Sequence, residues 1–233
     1  MHNKSAESAA CYQTGAILIG LAELGLLLGV FLTQDTLNNH RMVSTNLFAL
    51  MYYKVATSVL IAFQQLMVLL YVMRFRLVAR PWVGVVILFT CLALVGWTLT
   101  VSYDPDTRAA MHSIGAGLFV CATAAYFAAT LYLAFMFDPV KDRRYDLMAY
   151  AVLFSAGVFA VVYMALYFSS PEWAWLFENL SFVLMAAGYL VFFWYHPFDP
   201  ATPVSLEQRP QQCQPLLLPI HGAYTVPDVD AFY

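Results

Sequence analysis

Six long apolar stretches, separated by loops of about ten residues or fewer, dominate the chain. About 20 such residues make a helix long enough to cross roughly 30 Å of hydrocarbon, where a helix satisfies its own backbone hydrogen bonds. The sequence therefore predicts helices over Gly15–Thr33, Thr45–Met73, Trp82–Val101, Met111–Phe137, Leu147–Ser169 and Trp173–Tyr195. The loops are too short to hold a soluble domain, so the expected fold is all-α: a single bundle of six transmembrane helices. Composition agrees, with 62% hydrophobic and 11% charged residues against about 25% charged in soluble domains.

Orientation follows from the basic residues, which favour cytoplasmic loops. The second loop carries Arg74, Arg76 and Arg80 and the fourth carries Lys141, Arg143 and Arg144, whereas the first and third hold only Arg41 and Arg108. Both termini are thus expected in the cytoplasm. The first stretch lacks a strong basic flank and a small-residue cleavage site, and reads as a retained helix. In this orientation the sequons at Asn3 and Asn179 are not used, one being cytoplasmic and the other inside the sixth helix. Cys11, Cys91, Cys121 and Cys213 give no exoplasmic pair to oxidise. Cys11 and Cys213 lie where acylation is chemically open, with plain free thiols as the alternative. A net charge of −3 and scattered Lys and Arg exclude a nucleic-acid binder.

Polar side chains inside a hydrocarbon-spanning helix are costly, so each is a candidate for function. Glu23 and Lys54 come out at similar depth on neighbouring antiparallel helices, which makes an ion pair the expectation; the readings are a coupling or substrate site, a structural clamp, or a Lys54 that snorkels to the interface. Gln65, eleven residues after Lys54, falls on the same face. A second set gathers at the exoplasmic rim: Asp104, Asp106, Arg108 and His112 around the start of helix four, and Glu172, Glu178 and Asn179 opening helix six. Acid, amide and imidazole together suit cation binding, head-group recognition or acid–base chemistry. The alternative is that Asp104 and Pro105 form a turn, Asp106 caps helix four and Glu172 follows Pro171 in a first helical turn. There is no Gly-x-Ser-x-Gly and no His-Glu-x-x-His, so neither a catalytic residue nor a metal or cofactor is assigned. The letters Asp142-Arg143-Arg144-Tyr145 follow helix four and not helix three, which argues against a receptor.

Small residues recur at packing intervals in Gly25-Leu-Leu-Leu-Gly29, Ser113-Ile-Gly-Ala-Gly117 and Ala186-Ala187-Gly188; they suit contacts within the bundle or a homo-oligomer. From His196 to Tyr233 the chain holds seven of its eleven prolines and reads as a largely disordered cytoplasmic tail. Its apolar patch Leu216-Leu217-Leu218-Pro219-Ile220 suits docking on a cytosolic partner or on the bundle.

Six helices with cytoplasmic ends, the segment Asp106-Thr107-Arg108-Ala109-Ala110-Met111-His112-Ser113-Ile114-Gly115-Ala116-Gly117, and Pro171-Glu172-Trp173 ahead of helix six resemble the damage-regulated autophagy modulator family. The likeness runs mainly from Trp82 to Trp194, with His112 and Glu172 matching the family's His and Glu-Trp signatures. The stretch Gln34–Ser44 is shorter than the family's usual first exoplasmic loop. The resemblance implies a non-enzymatic multipass protein of lysosomal or other endomembranes that modulates autophagy. Relatives in the wider superfamily act in GPI-anchor remodelling or recruit a phosphatidylinositol 4-kinase at the plasma membrane. Three functions stay open: a regulator or adaptor that organises lipid and binds cytosolic partners, a small transporter or channel along Glu23, Lys54 and Gln65, and a lipid-modifying enzyme using the His112 rim.

Overall fold

The computed structural model describes residues 2–33, 51–104, 107–138 and 144–204. They form six helices, α1 (His2–Thr33), α2 (Met51–Val72), α3 (Arg80–Ser102), α4 (Ala109–Phe137), α5 (Arg144–Ser169) and α6 (Pro171–Tyr195), with no strand among the described residues. All six are long and apolar enough to cross a membrane. Residues 45–50, assigned by sequence to the second helix, lie outside the described residues. Pro occupies the first turn of α3 and of α6, where a missing N–H breaks no helical bond. A 3₁₀ turn, Met73–Phe75, ends α2.

The first helix departs from expectation. It begins at His2 and not at Gly15, and its 32 residues extend about 48 Å, well beyond a hydrocarbon layer. The additional turns bear polar side chains with partners: Gln13 Nε2 donates to the Trp194 carbonyl at 2.8 Å, and Ser8 Oγ to Asp199 at 3.3 Å. Hydropathy alone stops at Gly15 because those turns are polar.

The helices run up and down, with α3 packed along α4, α5 along α6, and α1 against both α2 and α6. The α3–α4 seam is the closest. A Cβ on Gly96 would stand 2.3 Å from the Phe119 backbone nitrogen, and one on Gly115 would stand 2.5 Å from that of Thr100. Only glycine lets the two backbones touch in this way, the usual device where lipid removes the hydrophobic drive for helix pairing. The Ser113–Gly117 motif therefore works through its central Gly115, while Gly117 meets Met164. Gly188 behaves as expected: a Cβ there would strike Leu153 at 2.6 Å. Gly25 meets nothing within 4 Å and faces outward, whereas Gly29 lies near the Tyr53 hydroxyl.

Polarity is distributed the reverse of a water-soluble bundle. Leu18, Leu28, Leu88, Phe154 and Val161 are exposed on the outer faces, while Glu23, Gln64, Gln65, Thr123 and Glu178 are buried. An outer surface of this kind suits a lipid environment.

Folded structure does not stop at Tyr195, where the sequence reading placed the start of a disordered tail. Phe198 and Val204 are buried in the same core as the helices. The physical reason is local: an aromatic between Pro197 and Pro200 has an apolar recess to fill beneath α2 and α6, and it fills it.

Candidate functional site

The rim set is dispersed by the fold. His112 lies in the first turn of α4 and is buried; its Nδ1 is 3.0 Å from the Thr100 carbonyl and 3.1 Å from that of Tyr103. Carbonyls only accept, so Nδ1 carries the proton. The imidazole thereby satisfies carbonyls of the last turn of α3 that a helix end leaves without partners. Asp104 is exposed: its Oδ1 receives the Thr107 N–H at 3.4 Å and its carbonyl receives that of Arg108 at 2.9 Å. The Arg108 guanidinium lies over the Tyr103 ring, 5.7 Å from its centroid. Asp104 and Arg108 are thus turn-forming residues.

The N-cap position of α4 is Arg108, whose own side chain makes no capping bond. Asp106 and the side chain of Glu172 lie outside the described residues. Glu178 and Asn179 are buried on α6. Glu178 borders a gap of about 10 Å³ together with Thr100, Tyr163 and Ser181. His112 and Glu178 therefore share Thr100 as a neighbour, while Asp104 belongs to the surface turn.

The ion pair expected between Glu23 and Lys54 does not form. Among the described residues Glu23 joins no ion pair, and its Oε2 is shielded without a hydrogen-bond partner. Level explains this. Tyr53, next to Lys54, reaches Gly29 of α1, which is six residues or about 9 Å beyond Glu23. Lys54 is half-buried, and Gln65, which shares its helix, is only 1% exposed. The side chains within electrostatic reach of Glu23 are the hydroxyls of Tyr126 on α4 and Tyr189 on α6.

A third cluster, at the opposite end from His112, escaped sequence reasoning. His196, the residue after α6, lies between two carboxylates: its Nε2 is 2.7 Å from Asp146 Oδ1, and its Nδ1 is 3.6 Å from Asp138 Oδ2. The Tyr71 hydroxyl donates to Asp138 at 2.7 Å, and an Arg74 guanidinium nitrogen is 3.5 Å away. His196 stacks on Phe192, with ring centroids 4.5 Å apart. Burial alone pushes the Asp138 carboxyl up, but His196, Arg74 and Tyr71 together hold it below the usual carboxylate range. Burial likewise pushes the His196 imidazole down, and the two carboxylates outweigh that and raise it.

The network ties residues 196–204 across the end of the bundle. Val204 donates its N–H to the Arg74 carbonyl at 2.9 Å, Asp199 receives Ala201 N–H and Thr202 Oγ1, and Phe198 packs against Tyr71 and Tyr12. The signal available in the sequence was the run His196-Pro197-Phe198-Asp199-Pro200 directly after an apolar span, facing loop acids at Asp138 and Asp146. Proline content hid it.

No group of three His, Cys, Asp or Glu among the described residues is arranged to hold a metal. Cys11, Cys91 and Cys121 are exposed free thiols. No protein-family model, curated protein or solved structure matches this chain.

What the fold defines is an all-α bundle of six helices, each long and apolar enough to cross a membrane. One end is closed by an ion-paired clamp that holds the start of the C-terminal segment.

Proposed function

We propose that this chain is a multipass regulator or adaptor of endomembranes, lysosomal or related, that organises lipid around the bundle and presents its C-terminal segment to cytosolic partners without catalysing a reaction. The observation that carries this reading is the clamp. Residues 196–204 are held at one end of the bundle by His196, Asp138, Asp146 and Arg74, so everything after Val204 departs from a fixed point. That same end is the basic one, with Arg74, Arg76, Arg80 and Arg144, which supports a cytoplasmic orientation for both termini. An anchored start also shortens the search of the Leu216–Ile220 patch for a partner. Engagement of His112 by the end of α3 favours a structural role for that imidazole over an acid–base role. The resemblance to autophagy modulators supplies the choice of membrane and process.

The decisive experiment removes residues 205–233 from the full-length protein in cells and compares proximity-labelled cytosolic partners and autophagic flux. Loss of specific partners with the bundle still inserted supports the adaptor reading. If every cytosolic interaction and the phenotype survive the deletion, that reading is lost. Orientation is read separately, by protease access to tags at each terminus in sealed vesicles.

A further inference from the structure

Glu23 takes part neither in the clamp nor in the His112 end. It sits in the middle of α1, 3% exposed, with Oε2 shielded and unbonded. Its level can be compared across the helices. Gly20 abuts Tyr189 and Leu190 of α6, and Glu23 is three residues, about 5 Å, further toward the His112 end. Tyr71 of α2 packs on Phe192 of α6, and Gln65 is six residues, about 9 Å, toward that same end. The Tyr71–Phe192 contact places Gln65 near the level of Glu23 and the Gly29–Tyr53 contact places it nearer the clamp, so Gln64 and Gln65 lie on α2 between the level of Glu23 and that of the clamp. The Tyr189 hydroxyl beside it, and on α2 both amide atoms of Gln65 and the amide nitrogen of Gln64, are shielded and likewise without hydrogen-bond partners.

A buried carboxyl facing hydroxyls, in surroundings of low dielectric, needs a positive charge to balance it when ionised. Among the described residues no side chain supplies one. Tyr126 faces it from α4 and Tyr189 from α6. Lys54, beside Tyr53 at the level of Gly29, stands about 9 Å from the level of Glu23 and forms no ion pair with it. Arg74 and His196 are committed to Asp138 and Asp146 at one end, and Glu178 is itself acidic. A carboxyl sheds its charge by binding a proton, and hydroxyls relay protons along hydrogen bonds, which makes a proton the balancing charge.

The packing also leaves such a proton a way in. Thr123, whose hydroxyl neighbours that of Tyr126, lines a gap of about 20 Å³ with Ser181, and about 10–15 Å³ is enough for a water. Ser181 also lines the smaller gap bordered by Glu178, Tyr163 and Thr100, nearer the His112 end. In the other direction Val68, Val72, Phe192 and Phe193, all fully buried, separate Glu23 from Asp138.

We propose that Glu23 is a proton-binding site at the centre of the bundle, loaded and emptied from the His112 end past Glu178, Ser181 and Thr123. Proton occupancy then reports the pH on that side to the packing of α1 against α2 and α6. This site is independent of the adaptor reading, and its test involves neither the tail nor a partner.

Infrared difference spectroscopy of the purified full-length chain in phosphatidylcholine vesicles tests it. A carbonyl band of a protonated carboxylic acid is expected to grow as buffer pH is lowered, to be absent from Glu23→Gln, and to ignore exchange of K⁺ for Na⁺ at fixed pH. If Glu23→Gln does not fold, Glu23→Asp keeps the acid and is expected to move the band. Thr123→Val, equal in shape without the hydroxyl, is expected to slow the response to a pH jump several-fold. The proposal is overturned by absence of the band, by its persistence in Glu23→Gln, by no change on Glu23→Asp, or by insensitivity to pH, which marks a merely structural acid. Loss of the band on adding Na⁺ assigns the site to sodium and overturns the proton. A wild-type response in Thr123→Val overturns the route.

Discussion

Replacing His196 with Gln tests the clamp most directly. The imidazole is 1% exposed, 2.7 Å from Asp146 and 3.6 Å from Asp138. Removing it leaves two buried acids facing each other, with Arg74 at 3.5 Å as the remaining cation near Asp138. Breaking one partner out of a buried ion pair costs about 3–5 kcal/mol, mostly from the charge left behind. At about 1.4 kcal/mol per factor of ten, the open population of residues 196–204 rises by about two to three and a half orders of magnitude. Hydrogen exchange of the Val204 amide, which donates to Arg74 at 2.9 Å, reads this opening directly. The double variant His196→Gln with Asp146→Asn is expected to recover much of the protection, since it removes the stranded charge.

The pH dependence has a defined sign. The folded-state value of His196 is raised, so its contribution is complete below about 6.5 and is lost as pH rises through the raised value. The folded-state value of Asp138 is lowered, so its contribution holds above the ordinary carboxylate range and is lost as pH falls through the lowered value. Protection of Val204 is therefore greatest between the two, in weak acid. Exchange at Val204 that changes less than about tenfold in His196→Gln, or protection that increases toward alkaline pH, refutes the reasoning.

Two further predictions concern packing and caps. Gly96→Ala is expected to destabilise the bundle by about 1–3 kcal/mol, because backbone on the facing helix leaves nothing flexible to move aside; Gly25→Ala, with no neighbour, is expected to leave thermal unfolding in detergent unchanged. His112→Ala strips the proton donor from the Thr100 and Tyr103 carbonyls and is expected to cost about 1–3 kcal/mol, whereas Asp104→Ala in the exposed turn costs less than about 1 kcal/mol by the same assay. Equal losses for the two residues would remove the distinction drawn between them.

Sequence reasoning located the helices well and their contacts poorly, for one reason. Residues of a hydrocarbon-spanning helix are apolar all round, so no stripe marks which side faces protein. Ser113–Gly117 was legible as a packing segment, but the helix rotation that turns Gly115 toward Gly96 depends on α3. Glu23 and Lys54 were legible as costly side chains; counting residues from loop ends misjudged their levels, and the tyrosines facing Glu23 came from helices far along the chain. His112 was legible as unusual, and its neighbours, the last carbonyls of α3, are backbone atoms that no residue pattern announces.

The sequence by itself determined six helices long and apolar enough to span a membrane, and their order, because a backbone suited to hydrocarbon has few ways to satisfy its hydrogen bonds and each leaves a long apolar run. Tertiary structure alone decided which glycines touch, which polar groups share a level, and that His196 closes the far end of the bundle against Asp138 and Asp146. Those outcomes depend on helix rotation and relative depth, set by the summed fit of many weak contacts between segments distant in the chain.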